Sequence, residues 1–148
     1  MDRTVDERVW SDPYLLGYAQ GSLALMMSFF GKGLSTQQNG MVTIRVLEGL
    51  AGERWRDVCE QIEVLNGSGD PEFTRGMTHG SNVAILMANR AGPELLAQPD
   101  VQNALRREPE QAALAAGILG PGEVGQSNVA GAVLMQDYME RHRQKAGY

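Results

Sequence analysis

Apolar positions recur with helical spacing along most of this chain, and short polar or glycine-rich punctuation separates the runs. Between Pro13 and Gly31 no side chain is charged. Asp12-Pro13 offers an N-cap followed by a proline at the first helical position, and Gly31-Lys32-Gly33 offers a stop, so the spacing predicts one uncharged helix over 13–31. Ser35 and Gln38 are spaced as a capping box and open a second helix with Met41, Ile44, Leu47 and Ala51 as its apolar positions and Gly52 as a stop or kink. From Glu53 onward Trp55, Val58, Cys59, Ile62 and Leu65 follow helical periodicity, with Glu53, Arg56, Asp57, Glu60 and Glu63 largely on the other face. Cys59 is therefore expected to point inward.

Asn66-Gly67-Ser68-Gly69-Asp70 reads as a loop, and Asp70-Pro71 restarts a helix predicted to reach Arg90. Pro93, Pro99 and Pro109 divide 93–119 into short helical pieces, and Gly120-Pro121-Gly122 is a turn. The last helix, from Glu123 to about Lys145, places Val124, Asn128, Gly131, Met135, Tyr138 and His142 on one stripe. Thr4 with Glu7 is a further capping-box pattern, for a short turn ending near Trp10. Only Val42 to Val46 suggests a strand, and its flanking caps favour helix. The expectation is an all-α chain in which residues 1–148 form a single helical domain, a compact bundle of about six or seven helices around the uncharged helix.

Two segments echo each other. Asp12, Pro13, Gly17, Gly21, Ser22 and Met26 are matched, with small shifts, by Asp70, Pro71, Gly76, Gly80, Ser81 and Met87. A weaker echo repeats Ser-Asn-Val-Ala at Ser81 and Ser127. The pattern reads either as chance, since helix starts draw on few residue types, or as duplication of a helical unit. Glycine inside a helix costs roughly 1 kcal/mol relative to alanine, so Gly17, Gly21, Gly76 and Gly80 ask for a compensating close approach. They are expected at a helix crossing within the chain or at an interface between copies.

A helix over 13–31 spans roughly 28 Å, enough for a bilayer core. Gln20, Ser22 and Ser28 interrupt it, and its flanks show no strong excess of Lys or Arg on one side. The amphipathic helices that follow need an apolar surface to pack on, so a buried core helix is expected and a membrane span is not. The eight methionines suit adaptable core packing.

Composition narrows the function without naming it. Net charge is −5 and the one basic cluster, Arg141, His142, Arg143 and Lys145, suits the last turn of a helix, so direct nucleic-acid binding is not expected. Cys59 stands alone, which permits no intrachain disulfide and suits a reducing compartment, and the first residues lack a signal-peptide pattern; a cytoplasmic location is the expectation. An activated nucleophile is not expected at Cys59, no metal cluster surrounds His79, and no phosphate or dinucleotide fingerprint occurs, so neither metal nor cofactor is called for. His79 lies in a polar patch of its helix, matched by Gln20-Gly21-Ser22 in the first. Such patches line a pocket or are satisfied between neighbouring helices; a ligand site, if built, would draw on Gln20, Ser22, His79, Ser81, Asn82 and Asn128. The leading expectation is a non-enzymatic interaction or assembly protein with a protein partner, self-associating as a homo-oligomer. The alternatives are a small acidic inhibitor or adaptor of the kind phages encode, and a small-molecule-binding bundle or enzyme using the His79 patch.

Overall fold

A computed structural model describes residues 6–106 and 126–148, without the side chains of residues 126 and 127. The described residues are helical and contain no strand. A short 3-10 turn, Glu7–Ser11, precedes helices α1 (Pro13–Phe30) and α2 (Thr36–Ala51); a second 3-10 turn, Gly52–Arg54, leads into α3 (Trp55–Ser68). Then come α4 (Pro71–Met87), α5 (Pro93–Leu96), α6 (Pro99–Arg106) and α7 (Gln126–Ala146). The expectations for Thr4, Pro109, the Gly120-Pro121-Gly122 turn and Val124 lie outside the described residues.

Helix starts follow the capping chemistry of the sequence. Asp12 accepts a hydrogen bond from the Leu15 amide at 3.1 Å, and Asp70 one from the Phe73 amide at 2.9 Å. Ser35 accepts from the Gln38 amide while Gln38 Oε1 accepts from the Ser35 amide, a complete capping box. Ends depart from expectation where a left-handed residue comes late or early. The loop expected from Asn66 is helical through Ser68, and the chain turns at Gly69, φ 65°, with Asp70 N–H bonded back to Leu65. In the same way α4 stops at Met87 instead of Arg90, because Asn89 takes φ 56° and Arg90 N–H returns to Ile85.

The chain divides into two compact units, the first ending at Ser81 and the second beginning at Asn82, inside α4. In the first, Leu16, Leu47, Val58 and Phe73 form a buried cluster on which Trp10, Trp55, Ile62, Leu65 and Met77 pack. Cys59 belongs to the partly buried rim of this cluster. In the second, Ala104, Ala130 and Val133 meet where α6 lies against α7, and Tyr138 donates to Asp100 Oδ2 at 3.3 Å. The stripe expected on the last helix is too narrow: from Val129 to Leu134 every residue is buried, so this stretch is covered on all sides. The uncharged helix also differs from expectation. Its buried residues are Tyr14, Leu16, Gly17 and Gly21, all in the first half, whereas Met26 is 50% and Phe30 73% exposed. No helix among the described residues is long and apolar enough to cross a membrane.

Candidate functional site

In the first unit α1 and α4 approach each other closely enough for backbone to meet backbone. A Cβ built on Gly17 would stand 2.1 Å from the Phe73 carbonyl oxygen, and one on Gly21 would stand 2.2 Å from that of Met77. Reciprocally, Gly76 faces the Tyr14 carbonyl and Gly80 that of Tyr18, each at 2.1 Å from the added Cβ. Each glycine thus meets the carbonyl of the residue three positions before the matching glycine on the other helix. The contacts advance together along both helices, so α1 and α4 run parallel. Only hydrogen fits in these four places, and each glycine Cα–H is aimed at a carbonyl oxygen, the geometry of weak Cα–H···O bonds.

The polar residues beside this crossing are spent on it. Ser22 Oγ donates to the Gly80 carbonyl at 3.2 Å, and the buried Tyr14 hydroxyl lies 2.9 Å from His79 Nδ1. The His79 ring meets Tyr14 edge-on at 5.7 Å between centroids, and the Arg75 guanidinium sits 5.0 Å from the Tyr14 ring centre. This joins aromatic, imidazole and cation in one small cluster. Tyr14 was not singled out by sequence, yet a signal existed: an aromatic residue precedes the first glycine by three in both echoes, Tyr14 before Gly17 and Phe73 before Gly76.

The remaining candidates are dispersed. Gln20 lines an open cleft of about 540 Å³ between α1 and α2, with Leu23, Ala24 and Met27 on one wall and Thr36, Asn39 and Thr43 on the other. Asn39 Oδ1 in that cleft is buried and has no hydrogen-bond partner. Ser81 is half-buried near the end of the first unit. Asn82 and Asn128 belong to the second unit, where Asn82 reaches Gln98 at 3.5 Å beside a cleft of about 560 Å³, and Asn128 keeps a buried, unbonded Oδ1.

Chemistry is sparse. Burial, with Glu63 nearby, pushes the Cys59 thiol above its ordinary range, the opposite of activation. Among the described residues no group of His, Cys, Asp and Glu is placed to hold a metal. At the C-terminus Arg143 pairs with Glu140 at 3.1 Å and Arg141 lies over Tyr138, so these two arginines are engaged within their own helix.

What stands out instead is apolar surface. On α1, Met26 and Phe30 are one turn apart and exposed; on α2, Val42, Val46 and Leu50 recur every fourth residue and are exposed, Leu50 to 64%. Met41 is 57% exposed, so it and Met26 do not serve as core filling. Helix α2 buries a single residue, Leu47. Comparison with protein families, curated proteins and solved structures gives no match.

Proposed function

We propose that this is a non-enzymatic helical interaction and assembly protein whose working surface is the α1–α2 hairpin. One observation carries the reading: two consecutive helices each present an apolar stripe to solvent, Met26 and Phe30 on α1 and Val42, Val46 and Leu50 on α2, in a segment with almost no charge. Apolar stripes exposed along neighbouring helices are costly in water unless a partner covers them, and such surfaces mark interaction sites. The Tyr14–His79 cluster and the glycine crossing are read as the rigid base that holds the hairpin. Within the same proposal, α1 is the organising helix of the fold, and α1 and α4 descend from one duplicated unit. The reciprocal glycine-to-carbonyl pattern and the paired Asp-Pro starts support that descent.

The test is capture by immobilised protein. Wild type retains a binding partner, itself or another protein, and Phe30→Gln with Leu50→Gln loses it. A wild-type chain that retains nothing, its own copies included, removes the reading.

A further inference from the structure

Resting on the interaction reading above, we infer that the α1–α2 hairpin is covered by the same hairpin of a second copy of this chain, two hairpins packing face to face in an isologous dimer.

Charge argues for a copy over other partners. Between Pro13 and Ala51 the only charged side chains are Lys32, Arg45 and Glu48, and Arg45 Nη1 already pairs with Glu48 Oε2 at 3.0 Å. Every other carboxylate of a chain with net charge −5 lies outside the hairpin. Two copies meeting through their hairpins keep the carboxylate-rich segments out of the contact, and beyond the Arg45–Glu48 pair the hairpin brings only Lys32 to it. A basic partner would be drawn to the acidic remainder, and an acidic partner would find no cationic patch on the hairpin to answer it.

Area agrees. Taken with their fractional exposures, the two stripes, Met26 with Phe30 and Val42 with Val46 and Leu50, offer on the order of 500 Å² per copy, so a pair buries about 1,000 Å², the lower end for a specific interface and suited to a weak dimer. The four-residue spacing of Val42, Val46 and Leu50 gives α2 an inclined apolar ridge, the kind that interdigitates with the same ridge of a symmetry mate.

Sedimentation velocity of the full chain from low to high micromolar concentration decides the matter. The expected result is a species of twice the 16.1 kDa chain mass at the upper end. Phe30→Gln with Leu50→Gln weakens dimerisation at least about ten-fold at unchanged far-UV circular dichroism, since both side chains are exposed. Val64→Gln, equally exposed but on α3, leaves the dimer as in wild type. Should the double variant lose helicity, Phe30→Ala with Leu50→Ala gives the same readout at higher helix propensity. A chain that stays monomeric throughout overturns the inference, as does a dimer that survives the double variant or one that Val64→Gln weakens equally. A monomer that still captures a different protein through Phe30 and Leu50 overturns the second copy and leaves the interaction reading standing.

Discussion

Two kinds of helical glycine occur among the described residues, and substitution separates them. At Gly17 an added methyl would meet a backbone carbonyl at 2.1 Å, which neither side can yield without separating the helices. Gly17→Ala is expected to cost at least about 3 kcal/mol, the upper range of overpacking, in chemical denaturation. Gly49 sits in α2 with open space around it, so Gly49→Ala is expected to stabilise by roughly 0.5–1 kcal/mol. The sequence pointed to the first class through its echo, because four helical glycines at matched offsets are improbable without a close approach. It could not pair them, since nothing local says which carbonyl each glycine meets. Cys59 gives a second test at this scale. Its folded thiol titrates above the unfolded one, so any contribution it makes to stability is present below the unfolded value and is lost as pH rises through the folded one. Alkylation near pH 8 is expected to be slower in the folded chain than in the denatured one; equal rates would contradict the burial of the thiol.

Helix boundaries set by side-chain caps were legible, and boundaries set by left-handed backbone were less so. Asp12, Ser35 and Asp70 each carry their own acceptor, so the first turn is written in residue type. The ends at Gly69 and Asn89 depend on where the chain happens to turn back on a carbonyl, and Asn66 to Ser68 can serve loop or helix equally. Replacing Ser35 or Asp70 by alanine is expected to cost about 1 kcal/mol each by thermal unfolding. Of the two, Asp70→Ala bears on the crossing, because it caps the helix that carries Gly76 and Gly80, whereas Ser35→Ala loosens α2 alone. The outer faces of the helices were the hardest to read. An uncharged run implies concealment, and the first half of α1 obeys; the second half, with Met26 and Phe30 exposed, does not. On α7 the opposite happens, where a one-sided stripe was expected and small residues such as Ala130 and Ala132 allow burial all round.

For the molecule as a whole, the separation of apolar hairpin from acidic remainder makes salt a discriminating variable. Binding through the hairpin is expected to persist near 1 M NaCl, where screening acts over about 3 Å, and to strengthen in sulfate. Association through the acidic surface, as an inhibitor of a basic target would require, is expected to fade over the same range. A pull-down at low and high salt measures the difference directly. The parallel crossing of α1 and α4 adds a mechanical consequence. Sliding one helix along the other by a turn, about 5.4 Å, would bring Pro13 or Leu25 against backbone where glycine now sits. No neighbouring register is open, so the pair is a clasp with one closed position. Such a clasp is expected to resist sliding under load and to yield by separation of the two helices.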